Sequence, residues 1–181
     1  MYYEEKTMKS ERIYEGRILN LRVDTVELPN RKYSRREIIE HAGAVVIIPV
    51  TEDDEVIMVK QFRKPIDKVI LEFPAGIIDK GEQPIEAAQR ELGEEVQQNA
   101  EELEFLFDSY SSPGFTDENI SYFLATGLTP FDGKADEDEF LEVVRIKIPD
   151  LIEMLHNFEL NDSKVITGAL YLENLRLKKH V

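Results

Sequence analysis

The sequence predicts an α/β or α+β protein in which a mixed β-sheet is sandwiched between helices. Three observations predict it. Residues 44–50 form a continuous apolar run of strand length, the pattern of a strand buried on both faces. Residues 56–62 follow across the turn Glu52-Asp53-Asp54 and read as its hairpin partner. Pro84 then opens a stretch in which Ala87, Ala88 and Leu92 supply one apolar helix face.

The remaining elements follow in chain order. Residues 12–20 and 21–28 alternate apolar and polar side chains, and Pro29-Asn30 marks a turn before a further strand at 36–40. These make an N-terminal antiparallel β-strand region, residues 1–42, ahead of a main domain at residues 43–181. Residues 69–73 are a short strand ended by Pro74. The helix from Pro84 runs to about Val96. Strands at 103–110 and 120–126 flank the loop Ser111-Ser112-Pro113-Gly114. A polar, acidic loop at 127–139 leads into a strand at 143–148. Two helices close the chain, 149–158 and 162–177, the second with a core-facing stripe of Val165, Ala169, Leu172 and Leu175.

Composition excludes several function classes. A formal charge of -15 disfavours nucleic acid and anionic lipid surfaces, both of which select basic proteins. There is no cysteine, so no disulfide framework, Cys-based zinc site or thiol nucleophile. The three histidines, His41, His156 and His180, form no ligand pair. The start is charged and unlike a signal peptide, and no apolar run approaches membrane length, so a cytoplasmic protein with no membrane partner is expected.

The chemistry concentrates between Gly76 and Glu95. On the helix, Glu91 and Glu95 are four residues apart and share a face, with Glu94 close by. Glu82 precedes the helix and can fold back toward them. Arg90 lies four residues from both Glu86 and Glu94, where its fork can fix a carboxylate rotamer. Like charges at this spacing cost an isolated helix a few tenths of a kcal/mol per pair. A hard cation reverses that sign, and Mg²⁺ selects such oxygen donors. A run of carboxylates is ordinarily a solvated helix face, but here order and spacing are distinctive.

Gly76, Glu82, Arg90, Glu91, Leu92, Glu94 and Glu95 fill the pattern G-x5-E-x7-R-E-U-x-E-E-x-G-U, where U is a bulky aliphatic residue. This resembles the Nudix box. Gln97 and Gln98 depart from it, standing where the box has Gly and an aliphatic residue, so the helix either ends at a strained Gln97 or runs on toward Asn99. Outside the box, Glu72-Phe73-Pro74-Ala75-Gly76, Gln61-Phe62-Arg63-Lys64-Pro65 and Arg35-Arg36-Glu37 are similar to segments of the ADP-ribose pyrophosphatase subfamily. Pro113 stands sixteen residues beyond Gln97, the position of that subfamily's hallmark proline, within Ser112-Pro113-Gly114-Phe115-Thr116-Asp117-Glu118.

The resemblance implies a Nudix fold and Mg²⁺-dependent hydrolysis of ADP-ribose to AMP and ribose 5-phosphate, with Mn²⁺ a possible substitute. It implies metal ligation by Glu91 and Glu95, assisted by Glu94 and the Ala75 carbonyl, with Glu82 a lesser ligand or an orienter. It places the general base in the acidic loop, Glu139 first and Glu137 second, with Arg90 completing the catalytic set. Arg63, Arg36, Glu37, Gly76, Pro113 and Gly114 are the implied substrate contacts. A homodimer with exchanged or packed N-terminal strands is also implied. Tyr14, Tyr33 and Phe115 read as core or interface packing residues, with stacking on adenine as the alternative, and His41 as a strand-end residue with no catalytic role. Two alternatives stand beside this reading: hydrolysis of another nucleoside diphosphate sugar such as GDP-mannose, or of an oxidised nucleotide; and non-catalytic sensing of ADP-ribose. The intact carboxylates argue against the sensor.

Overall fold

The computed structural model describes residues 4–133 and 140–179, in the order β1 (Lys6–Glu15), β2 (Leu19–Glu27), β3 (Tyr33–His41), β4 (Ala44–Pro49), β5 (Glu55–Arg63), β6 (Lys68–Glu72), β7 (Ala75–Ile77), α1 (Pro84–Val96), β8 (Gln98–Tyr110), β9 (Asn119–Pro130), β10 (Leu141–Lys147), α2 (Ile148–His156) and α3 (Ser163–Lys179). Among the described residues the strands form three sheets, ordered β1-β2-β3, β10-β5-β6 and β7-β4-β9-β8. Mixed α and β structure was expected; its division into three sheets was not. The chain clusters into two compact units. One holds the residues up to Gly43 together with Asp108–Ile120; the other holds Ala44–Phe107 and the chain from Ser121 onward.

In the first unit β2 pairs antiparallel with β1 and with β3. The expected strand at 12–20 is instead two strands. The chain turns through residues 16–18, where the Gly16 N–H donates to the Leu19 carbonyl at 3.0 Å. Alternation continues through that turn in sequence, so pattern alone did not reveal it. The segment 111–118 is fastened to β3. The Ile39 N–H donates to Phe115 O at 2.8 Å, and the His41 N–H donates to an Asp117 carboxylate oxygen at 2.9 Å. β1 is exposed at all ten positions. Tyr14, Tyr33 and Phe115 are each more than half exposed, so they are not core residues.

In the second unit the apolar run of β4 serves two layers. Val45 and Ile47 join Ile57, Val59, Ala87, Ala88, Leu92, Val96, Phe123 and Ala125 in a core between strands and α1. On the other face Ile48 meets α3 at Gly168, beside the ring of Phe73. The α3 stripe is largely buried at Val165, Ala169 and Leu172, as core packing requires. Each fully buried Leu or Ile contributes about 1.5–3 kcal/mol from lost apolar surface. Among the described residues no helix is long and apolar enough to cross a membrane.

Helix α1 begins at Pro84 and stops at Val96, as the sequence predicted. At its start the Glu86 carboxylate accepts the Gln83 backbone N–H at 3.0 Å, one half of a capping box. At its end Gln97 adopts the left-handed conformation, φ 55° and ψ 40°, where the box has Gly. The helix therefore does not run on to Asn99. The Gln97 side chain supports this end, because its Nε2 donates to Gly93 O at 2.7 Å. Glycine lacks that extra bond, which offsets part of the cost of a side chain at positive φ.

Candidate active site

Two short elements hold the carboxylate cluster. β7 pairs antiparallel with β4, Gly76 opposite Val45 and Ala75 opposite Val46. Its backbone faces α1. The Glu91 carboxylate fills the space that a Cβ on Gly76 would need, so any side chain at 76 would displace that carboxylate. One turn on, a Glu95 carboxylate oxygen accepts the Ala75 N–H at 3.1 Å. Glu91 and Glu95 are 9% and 5% exposed, an unusual burial for carboxylates that marks a built site.

Arg90 organises the cluster. Its Nε and Nη2 fork the Glu82 carboxylate at 2.9 and 3.0 Å. Its Nη1 donates to Glu91 at 2.6 Å and to Glu94 at 3.0 Å, and Nη2 also reaches the Ile77 carbonyl at 3.0 Å. Glu86, the other sequence candidate for Arg90, is turned away to cap the helix. The Glu82 fork outweighs burial and raises the Arg90 pKa above its already high ordinary value. The same contact, with help from the Asp79 N–H, holds the Glu82 carboxyl below its usual range.

One guanidinium among Glu82, Glu91, Glu94 and Glu95 leaves the cluster anionic. Among the described residues no three acidic or histidine side chains form a cation cage by themselves. The donor set nevertheless fits a hard divalent ion, which takes one or two carboxylates and completes its shell with waters and substrate phosphates. Glu91, Glu95, Glu94 and the Ala75 carbonyl are the oxygens that would hold it.

Arg63 lies at the end of β5 and forks a carboxylate the sequence reading gave no role. Its Nε and Nη2 donate to Glu72 at 2.6 and 2.9 Å. Glu72 is 1% exposed. Burial pushes its pKa up, but the Arg63 fork and the Lys164 ammonium at 3.4 Å more than offset that, holding the carboxyl below its usual range. A carboxylate inside the short apolar segment Val69-Ile70-Leu71-Glu72-Phe73 was the available signal.

Arg36, Glu37, Pro113 and Gly114 belong to the first unit. Arg36 forks Glu5 through Nε at 2.8 Å and Nη2 at 2.5 Å, a pairing no spacing rule predicted, and this contact holds the Glu5 carboxyl below its usual range. Glu37, Pro113 and Gly114 are exposed. Glu137 and Glu139 lie outside the described residues.

A mixed α and β scaffold that presents buried glutamates on a glycine-led loop and helix defines one class. The chain belongs to the NUDIX domain family, whose model matches residues 40–168. Residues 5–39 match the family described as the nucleoside diphosphate sugar hydrolase N-terminal domain. Members of the Nudix family generally use a divalent metal ion. Among individual proteins, the chain is 44% identical to an ADP-ribose pyrophosphatase of Bacillus subtilis, over 94% of this chain and 93% of that one. It is 42% identical to the methanol dehydrogenase activator of Bacillus methanolicus, over 98% and 97% of the two chains. A solved structure of an ADP compounds hydrolase superposes with a TM-score of 0.84 at 27% identity, covering 98% of this chain and 96% of the other.

Proposed function

We propose that the protein hydrolyses the pyrophosphate bond of ADP-ribose, releasing AMP and ribose 5-phosphate. The observation that carries this reading is the Arg90-centred carboxylate cluster, every acidic position of the box being kept, in a chain 44% identical to a Bacillus subtilis ADP-ribose pyrophosphatase. Mg²⁺ is the proposed metal, with Mn²⁺ able to replace it, held by Glu91, Glu95, Glu94 and the Ala75 carbonyl. Once bound, such ions neutralise pyrophosphate charge and lower the pKa of a coordinated water.

The chain's own residues then have distinct tasks. Arg90 keeps Glu82, Glu91 and Glu94 in fixed rotamers despite their mutual repulsion. Glu139, or Glu137 as second choice, takes the proton from the attacking water. That oxygen bonds to one phosphorus as the bond from phosphorus to the bridging oxygen breaks. Arg63 holds a phosphate or the terminal ribose. Arg36, held by Glu5, and Glu37 serve the adenosine half, and Gly76, Pro113 and Gly114 are assigned as further substrate contacts.

We also assign a homodimer built through residues 1–42. β1 is an edge strand, exposed throughout, and carries Met8, Ile13 and Tyr14 at 48%, 51% and 57% exposure. An open edge of this length that also carries three large exposed side chains can pair with a second copy. We place the protein in the cytoplasm.

The test is incubation with a panel of nucleoside diphosphate sugars and Mg²⁺, resolving products by chromatography. AMP from ADP-ribose at the highest kcat/KM is expected. Faster turnover of GDP-mannose, or tight ADP-ribose binding without turnover, would overturn the reading. The near full-length match to the methanol dehydrogenase activator favours a second reading, action on a dehydrogenase. Methanol oxidation by that enzyme, measured with and without this protein, checks it.

A further inference from the structure

The Arg63–Glu72 pair is one part of a longer chain of charges. Glu72 closes β6 and is almost wholly buried, a costly place for a carboxylate unless it is paired and hydrogen-bonded. Arg63 approaches from one side through both fork nitrogens. Lys164, on the first turn of α3, approaches Glu72 Oε2 from the other at 3.4 Å and is held in turn by Asp162 Oδ1 at 2.9 Å. Charge alternates along Arg63, Glu72, Lys164 and Asp162. The Lys164 and Asp162 side chains are only 22% and 10% exposed, so this is not a solvated surface pair.

A second contact ties the same helix to the same segment. Gly168, four residues after Lys164, lies so close to the Phe73 ring that a Cβ there would sit 2.5 Å from Cε2. α3 thus grips Glu72 and Phe73 together. These two residues lead directly into Pro74, whose carbonyl accepts the Ile47 N–H at 2.9 Å, and Ala75, whose N–H holds Glu95.

We propose that Lys164 is a positioning residue for substrate: acting through the buried Glu72 carboxylate, it fixes the direction of the Arg63 guanidinium. The assignment of Arg63 to the substrate rests on the function proposed above. The physical basis has two parts. Both Glu72 oxygens serve the Arg63 fork, so the plane of the carboxylate sets the plane of the guanidinium. Lys164 bonded to Oε2 stops that carboxylate from turning. Asp162 in turn holds the Lys164 ammonium at 2.9 Å, so the brace on the Glu72 carboxylate is itself fixed.

The test combines a double-mutant cycle with a readout that needs no substrate. In the full-length protein, Lys164→Met is expected to raise KM for ADP-ribose about tenfold while kcat stays within about twofold, and Lys164→Arg is expected to restore KM. In an Arg63→Ala background, Lys164→Met is expected to add nothing. An equal KM rise with and without Arg63, or no rise at all, would overturn the proposal. By NMR, hydrogen exchange of the Arg63 Nε–H is expected to quicken about tenfold in Lys164→Met as the fork loosens; unchanged exchange would also overturn it. If the unmodified protein fails to cleave ADP-ribose yet the exchange quickens, the substrate reading falls and the positioning role stands. Should Lys164→Met not fold, Lys164→Gln is measured and read in the same way.

Discussion

The Glu91 carboxylate occupies the space that a side chain on Gly76 would fill. Gly76 lies in strand β7 without a positive φ, so what calls for glycine there is room for the carboxylate, not a turn. Gly76→Ala is expected to push Glu91 aside and cut kcat/KM by about a hundredfold, the scale of loss for a displacement near an ångström at a catalytic group. Steady-state kinetics measures this. Activity near that of the unmodified protein would mean that Glu91 does not work from this position.

Arg90 binds Glu82, Glu91 and Glu94 at once, so its removal leaves several carboxylates to repel one another. Arg90→Met is expected to destabilise the protein by about 1–3 kcal/mol in metal-free buffer. Added Mg²⁺ should recover more stability in the variant than in the unmodified protein, because the cation supplies the missing charge. Urea unfolding with and without Mg²⁺ decides; an equal gain in both would contradict the account.

Gln97 tests the helix end. It holds positive φ while its side chain bonds Gly93 O. Gln97→Ala keeps the backbone strain and loses the bond, for a cost of about 1 kcal/mol. Gln97→Gly loses both strain and bond, and stability should change by no more than about 0.5 kcal/mol. Thermal unfolding gives the ordering; an alanine variant as stable as the glycine variant would contradict it.

Acid stability follows from Glu72 and Glu82, both held below the ordinary value of 4.5 in the folded chain. Depressed carboxyl pKa values stabilise fully above the unfolded value and lose that contribution as pH falls through the folded value. Stability should therefore decline as pH drops below about 4.5. Glu72→Gln should lower stability at neutral pH and flatten the acid decline. Urea midpoints across this range check it, and an unchanged slope in Glu72→Gln would contradict it.

Much of this was legible in the sequence because fixed spacing carries geometry. Pro84, Ala87, Ala88 and Leu92 located α1, and the run at residues 44–50 located the central strand. Glu91, Glu95 and Arg90 were readable because helical spacing alone places them together. Arg63–Glu72, Lys164–Glu72 and Arg36–Glu5 were not, because each joins separate elements whose registers no local pattern sets. The turn after Glu15 was missed because alternation runs through it, and β7 because three residues are too few to show a period.

Whether the α1 carboxylates drive ADP-ribose cleavage is decided by the initial rate of AMP release in Mg²⁺ from the unmodified protein and from Glu95→Gln. Glutamine keeps an oxygen for the Ala75 N–H, so the fold should persist by circular dichroism. The unmodified protein is expected to release equal amounts of AMP and ribose 5-phosphate, and Glu95→Gln to lose about a thousandfold or more in rate. A Glu95→Gln protein that releases AMP at the unmodified rate, or an unmodified protein that releases none, would contradict it.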